Sequence, residues 1–424
     1  MQSRRDFLKT ISAGAAVASI GACAGLGARA QGRVVVIGAG YGGATAAKYI
    51  RLWSNNRVEV TLVERDLNFV SCPVSNLVLG GYRTLADITM SYDGLQRNHG
   101  IKLVHDEAVA IDPQKQEVRL ASGTVLKYDR LVVSPGVDFM YDTIPGLNNA
   151  QAQEQILHAW KAGPQTVALR AQLEAMADGG VYAIHIPKAP YRCPPGPYER
   201  ACQVASYFKT AKPKSKVLIL DANEDVVSKK GLFTKAWKDL YGGIIDYQPS
   251  SELQDVDVKT RTAKLLFGGV KADVLNIIPP QKAAKIAEST GLITANKRWC
   301  EVDFLTCESK AQKNIHVLGD ATLSAPQMPK SGHMANQHAK VCADAVVALL
   351  SGEPVNERPS MVNTCYSFIS ASQVIHVASV HVYDHEKKDM LPVPGSGGVS
   401  AQASELEASY GNAWATNIWA DMLT

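Results

Sequence analysis

A run of β-branched residues that opens directly into closely spaced glycines leaves a chain few folds to choose from. Arg33-Val-Val-Val-Ile37 leads into Gly38-Ala39-Gly40-Tyr41-Gly42-Gly43, and an alanine-rich stretch from Ala44 to Trp53 follows. Val and Ile crowd a helix but suit a pleated surface, so the first run predicts a strand buried on both faces. Gly38 permits the tight turn, Gly40 lets the backbone approach a pyrophosphate, and Gly43 allows close helix–strand packing. The helix start offers free N–H groups and the positive end of a dipole to phosphate. A second strand, Val58 to Val63, ends in Glu64, placed to accept a hydrogen bond from an adenosine ribose hydroxyl. Strand, turn, helix and acid in this order predict a dinucleotide-binding domain.

Later segments extend the pattern. Tyr128-Asp-Arg-Leu-Val-Val-Ser-Pro-Gly136 reads as a buried strand ending in a small-residue turn, and Asn314-Ile-His-Val-Leu-Gly319-Asp320 as a short strand ending in Gly-Asp. Between them, the strand Gly180 to Ile186 stands where a second nucleotide site would begin. It runs into Pro187-Lys-Ala-Pro-Tyr-Arg-Cys193-Pro-Pro-Gly-Pro-Tyr-Glu199-Arg200, which is no glycine fingerprint. Proline has no N–H and a fixed backbone, so this turn cannot cradle a pyrophosphate in the usual way. The next strand, Lys216 to Leu220, still ends in Asp221. The fold is expected to persist there without its ligand, which argues against a pyridine-nucleotide reductase. In order and kind, these motifs resemble the two-dinucleotide-binding-domain flavoproteins. That resemblance implies FAD, with the Asp320 carboxylate on the ribityl and pyrophosphate side and a helix within Gly332–Val341 pointing its N-terminus at the flavin.

The chain has 424 residues and a formal charge of +4. Much of that charge sits in the first 30 residues, where Arg4, Arg5, Lys9 and Arg29 face only Asp6. Twin arginines, a short apolar stretch and Ala28-Arg29-Ala30 read as a twin-arginine secretory leader, with the mature chain starting at Gln31 and residing in the periplasm. A lipoprotein reading at Cys23 is the weaker alternative. The near-neutral remainder gives no reason to invoke nucleic acid. After residue 30 no apolar run is long enough to span a membrane. Export puts the chain in an oxidising compartment with seven cysteines, at positions 72, 193, 202, 300, 307, 342 and 365. An odd number leaves at least one thiol free, joined to another chain, or bonded to something other than sulfur. Cys300 and Cys307 are spaced for a local structural disulfide, a metal site being weaker for lack of companion ligands. Cys202 and Cys342 fall in helical patterns and are expected as buried free thiols.

The remaining three cysteines sit in distinctive surroundings: Ser71-Cys72-Pro73, Cys193-Pro-Pro195 and Asn363-Thr-Cys365-Tyr-Ser367. With the leader, these segments resemble the flavoprotein subunit of flavocytochrome c sulfide dehydrogenase, kin to the sulfide:quinone reductases. The resemblance implies a thioether from Cys72 to FAD and a redox-active disulfide between Cys193 and Cys365. It further implies two-electron oxidation of hydrogen sulfide to sulfur or polysulfide, with hydrosulfide attacking the disulfide and electrons passing to FAD. Cys365 is expected on the flavin side and Cys193 on the substrate side. Glu199 is a candidate proton acceptor, or else a solvated helix-start acid. Lys188 and Arg192 would favour an anion, and His185, His333 and His338 show no ligand spacing and are read as structural.

The expected fold is α/β, with two Rossmann-like dinucleotide-binding domains of the glutathione-reductase kind and a small C-terminal α+β interface domain. The expected boundaries are 1–30 leader, 31–150 first FAD part, 151–274 second Rossmann-like domain, 275–350 second FAD part and 351–424 interface domain. No CxxCH is present, so haem c cannot be attached to this chain. The resemblance implies a separate c-type cytochrome subunit as electron acceptor, docked near the flavin edge, and the last segment, with Trp414 and Trp419, fits the small interface domain. The alternative is a peripheral sulfide:quinone oxidoreductase; but residues 401–424 contain no Lys or Arg to meet anionic lipid.

Overall fold

The computed structural model describes residues 31–424. The leader read over residues 1–30, with its cleavage point and Cys23, lies outside the described residues. Strand β1 (Gly32–Ile37) carries the valine run, with Val34, Val35 and Val36 each at most 2% exposed. Helix α1 (Tyr41–Trp53), strand β2 (Val58–Val63), the short helix α2 (Asn76–Gly80), β3 (Lys102–Val104) and β4 (Arg130–Val133) follow. β1 lies between β2 and β4, all parallel, and β3 extends the sheet beyond β2. Successive side chains of β1 take opposite faces: Val34 and Val36 enter one core, Val35 and Ile37 the other. A strand covered on both sides has no place for polar alternation, which is why it reads as continuous Val and Ile.

The chain then builds a second parallel sheet from β5 (Val181–Ile186), α3 (Gly196–Ala211), β6 (Lys216–Asp221), α4 (Lys230–Tyr241), β7 (Ile245–Gln248) and β8 (Val274–Ile277). Its order is β7-β6-β5-β8. Because β8 pairs with β5 from Val274 to Ile277, the chain leaves this domain after Ile277 and not at the expected 274/275 boundary. It returns to the first sheet with β9 (Ile315–Val317) beside β4 and with helix α5 (Gly332–Ser351), which shares a core with α1.

The last part pairs β10 (Ser360–Phe368) with β11 (Val374–Asp384), adds β12 (Asp389–Pro392) and β13 (Gly398–Val399), and ends in helix α6 (Glu405–Leu423). α6 folds back onto the first domain, where Met422 and Leu423 are buried. Asp421 accepts from Tyr49 Oη at 2.5 Å and Asn336 Nδ2 at 2.7 Å, and pairs with Lys340 at 3.0 Å. Trp414 and Trp419, read from the sequence as part of a small interface domain, are half-buried against the first domain. Trp419 Nε1 donates to the Tyr41 hydroxyl at 3.2 Å, and Trp414 joins the same core as Ile418's neighbours on α1 and α5. No helix among the described residues is long and apolar enough to cross a membrane.

The expected Cys300–Cys307 bridge does not form: both are free thiols. Cys300 packs in the core on the Val35 face of the first sheet, whereas Cys307 packs on the Val34 face. Cys307 Sγ lies 3.5 Å from the His338 carbonyl and contacts the Cys342 thiol. Six residues of separation say nothing of a sheet between them. Cys202 on α3 and Cys342 on α5 are buried free thiols, as their helical patterns suggested.

Burial holds the His185 imidazole down to about 4 and that of His338 down to about 3. Both stay neutral in the fold where the unfolded chain is protonated, so their contribution is complete above about pH 6.5 and is lost as pH falls toward 4 and 3. Thermal denaturation at constant ionic strength should therefore show Tm falling from pH 6.5 to pH 4. Each histidine contributes up to about 1.4 kcal/mol per pH unit. A flat profile would contradict the neutral assignment.

Candidate functional site

One cavity of about 1370 Å³ collects the chemistry-bearing residues. Its walls come from the first domain, the turn before α3, and the last strands. Gly38 and Gly40 line it, and Gly43 lies behind them. A β-carbon on Gly43 would stand 1.7 Å from the Gly38 carbonyl oxygen, so only glycine lets α1 come this close to the turn. A β-carbon on Gly40 would meet nothing within 4 Å, leaving open floor in front of the helix. Gly40 caps α1 without any side-chain hydrogen bond, so the first helical N–H groups remain for a ligand. Glu64 lies at the end of β2, where Oε2 accepts from Ala39 N at 2.7 Å and Oε1 from Asp66 N at 2.9 Å. Each oxygen keeps a lone pair, so the ribose contact expected of it is still available.

Gly319 and Asp320 follow β9 at the cavity wall. Asp320 Oδ1 is buried with no partner, and burial pushes its carboxyl up, against the pull of Arg192 and Lys330. A buried acceptor left unmade costs about 1–3 kcal/mol, so this oxygen calls for a donor. The N-terminus of α5 enters the same space at Ser331, Gly332 and His333, with Ser331 Oγ accepting from Met334 N at 3.0 Å. An orphan carboxylate oxygen, an open glycine floor and two helix N-termini fit the ribityl, pyrophosphate and ring of FAD.

All three singled-out cysteines line this cavity. Cys72 is held by its loop: Ser75 Oγ donates to the Cys72 carbonyl at 2.6 Å, and Ala162 N donates to Cys72 Sγ at 3.4 Å. Val74 beside it has φ 65°, a strained value for a β-branched residue. Cys193 comes from the proline-rich turn and Cys365 from β10; both are free thiols, so the expected Cys193–Cys365 disulfide is not formed in this structure. Burial pushes both thiols up, and the nearby Cys365 raises Cys193 further. Lys229, Asn363 and Ser331 oppose that rise at Cys365. Asn363 Nδ2 donates to Cys365 Sγ at 3.4 Å. A side chain on Gly196 would reach within 2.8 Å of Cys193 Sγ, so glycine is required where the turn enters α3.

Glu199 is not the solvated helix-start acid that was one of its two readings. It is buried, accepting from Asn76 Nδ2 at 3.0 Å and from Phe368 N at 2.9 Å, and burial raises its carboxyl. Arg192 reaches the cavity and donates to the Trp160 carbonyl, while Lys188 is exposed outside it. His185 and His338 are structural, but His333 lines the cavity and accepts from Thr364 N at 3.0 Å. The second nucleotide site is filled from within. Asp221 is fully buried and accepts from Tyr198 Oη at 2.7 Å, Tyr247 Oη at 3.1 Å and Asn223 Nδ2 at 2.7 Å. No capacity remains there for a ribose. Sequence reasoning missed Lys229, Asn76 and Asn363, because a polar residue beside a helix start or in a strand reads as solvent-facing until its partners are placed.

Fold and site together define a flavoprotein of two dinucleotide-binding domains, one nucleotide site kept and the other filled. Residues 166–279 match the family model described as sulfide dehydrogenase (flavocytochrome c) flavoprotein chain, central. Residues 357–423 match flavocytochrome c sulphide dehydrogenase, flavin-binding, and 32–171 match pyridine nucleotide-disulphide oxidoreductase. The chain is 54% identical over 46 residues to the sulfide dehydrogenase (flavocytochrome c) flavoprotein chain of Chlorobaculum thiosulfatiphilum, covering 94% of that sequence and 11% of this one. This chain belongs to the family of flavocytochrome c sulfide dehydrogenase flavoprotein chains. It is also 22% identical over 332 residues to the mitochondrial sulfide:quinone oxidoreductase of Mus musculus, covering 74% of this chain and 70% of that one. The crystal structure of the sulfide:quinone oxidoreductase of Aquifex aeolicus shares the fold, with a TM-score of 0.71 at 19% identity over 92% of this chain and 91% of that one.

If Asp320 Oδ1 waits for a flavin donor, Asp320→Ala should weaken FAD binding by about tenfold to a hundredfold, a charged hydrogen bond being worth about 1.5–3 kcal/mol. The cofactor-free protein should keep its Tm. Flavin titration and thermal denaturation of the same preparation check both.

Proposed function

We propose that this chain oxidises hydrogen sulfide to sulfur or polysulfide through a Cys193–Cys365 disulfide and hands the electrons, by way of FAD, to a c-type cytochrome subunit. The observation that carries the reading is that Cys193 and Cys365, from separate parts of the chain, line the cavity that fits the flavin, near enough for Cys365 to act on the Cys193 thiol. FAD, when bound, supplies a two-electron acceptor. The residues around it do the rest. Arg192 favours hydrosulfide over hydrogen sulfide near Cys193. The α5 N-terminus favours negative charge at Cys365 and would favour it on a reduced flavin ring. Glu199, buried and raised, is placed to take the substrate proton, with Asn76 and Phe368 N holding its carboxylate form. Cys72, alone in a strained loop on the cavity wall, is proposed to hold FAD through a thioether, which accounts for the odd thiol.

The filled Asp221 pocket supports an electron donor other than a nicotinamide. The inward docking of α6, which carries no Lys or Arg, supports a protein acceptor over membrane quinone. Export by the twin-arginine leader into the periplasm completes the proposal and suits a chain folded around its cofactor before transport.

Cys193→Ser should retain FAD and lose sulfide-dependent flavin bleaching by at least about a thousandfold, in the range seen when one member of a catalytic set is removed. Bleaching at the wild-type rate would sink the disulfide route. Mass spectrometry of the denatured chain should find the added mass of FAD on the Cys72 peptide, and an unmodified peptide would remove the thioether. NADH should leave the flavin absorbance unchanged where sulfide bleaches it.

A further inference from the structure

One buried charge near the cysteines has no role in the mechanism above. Lys229 sits immediately before α4 in the left-handed region, at φ 54° and ψ 35°, a conformation that a β-carbon disfavours. Its neighbour Lys230 points to solvent and pairs with Asp225. Lys229 instead turns inward and is only 7% exposed. Its Nζ donates to the Cys365 carbonyl at 2.9 Å, to Ser367 Oγ at 2.8 Å and to the Ile375 carbonyl at 3.5 Å. All three protons are thus spent on the β10–β11 hairpin at the level of Cys365, a contact from the second domain to the last strands.

An ammonium in such a place is costly unless a negative charge accompanies it. Lys229 forms no ion pair with a carboxylate within 4.0 Å among the described residues. The groups that act on it from a distance are the thiols of Cys365 and Cys193, then Glu199 and Glu407. Arg192, from the turn, acts on Cys193, and His333, from α5, accepts from the Thr364 N–H next to Cys365. Of these, only the sulfurs gain charge when a disulfide is opened.

We propose that Lys229 is a positioning residue and counter-ion for the sulfur chemistry, fixing Cys365 in place and stabilising the thiolate that forms there. The assignment rests on the function proposed above. Hydrosulfide bonds to the Cys193 sulfur, the Cys193–Cys365 bond breaks, and its electron pair leaves on Cys365. Cys193 is then the persulfide, and the single negative charge that entered with hydrosulfide remains on Cys365 beside the ammonium. The asymmetry follows from placement. Lys229 is bonded to the backbone of Cys365 itself, and Asn363 and the α5 N-terminus lie on the same side. Burial lowers the ammonium to about 8, so it is still charged near neutrality.

The test is pulsed alkylation with iodoacetamide of the reduced, FAD-loaded full chain across pH, read peptide by peptide. Lys229→Met keeps the stem and removes the charge; Lys229→Arg keeps the charge. Cys365 should alkylate about tenfold more slowly near neutral pH in Lys229→Met, a shift of at least one pH unit in its profile, and recover in Lys229→Arg. FAD content should be unchanged in both. A Lys229→Met profile that overlays the wild type overturns the proposal. Should Lys229→Met fail to fold, Ser367→Ala, which frees the ammonium from one anchor, should shift Cys365 the same way by a smaller factor, and no shift there overturns it. The readout needs no turnover: absence of sulfide-dependent bleaching in the wild type would fell the proposed function, while the alkylation profiles still decide what Lys229 does to Cys365.

Discussion

The Glu199 carboxylate joins the three parts of this chain where the chemistry is placed. It belongs to α3 of the second domain, takes one N–H from Asn76 of the first and another from Phe368 of the last strands. Asn76 in turn accepts from Arg200 Nε at 3.1 Å, and the rest of that buried guanidinium donates to the carbonyls of His158 and Ala159 and to Asn276. Removing one member of such a network leaves the others buried without partners, which costs more than the bond itself. Cys193, Cys365 and the cavity wall near Trp160 therefore share one frame, because the carboxylate and the guanidinium hold their elements together.

The same frame explains how a second dinucleotide fold can lose its ligand and keep its shape. The acid at the end of β6 is retained, but its acceptors are taken by Tyr198, Tyr247 and Asn223. The turn before α3 has exchanged glycines for prolines and carries a cysteine toward the flavin cavity. The place that would hold a second adenosine ribose has become packing, and the turn that would cradle its phosphates has become part of the cavity wall. Cys193 in the left-handed region, at φ 59°, shows how tightly that turn is wound.

Legibility divided along physical lines. The glycine turn, β1, β2, the Gly-Asp segment and the strands of the second domain were readable because each depends on a local rule: period, backbone freedom, or an acid at a strand end. The three cavity cysteines were readable as motifs, not as neighbours. The Cys300–Cys307 pairing failed because spacing along a chain ignores the sheet that separates them. The surface that Trp414 and Trp419 pack on was not readable, because an apolar tail looks the same whether it covers a partner or its own domain. Lys229 gave no signal at all, since Ser228-Lys229-Lys230-Gly231 is an ordinary helix start until the chain brings β10 against it.

By itself, then, the sequence determined the class of fold, the kept nucleotide site and the degraded one, because these follow from which residues tolerate a buried strand, a tight turn or a missing N–H. Only the tertiary structure decided which sulfurs share a cavity, which carboxylate is buried between domains and which lysine faces the thiols. Those facts depend on distances between residues far apart in the chain, and such distances are set by how sheets and helices pack, not by any local preference.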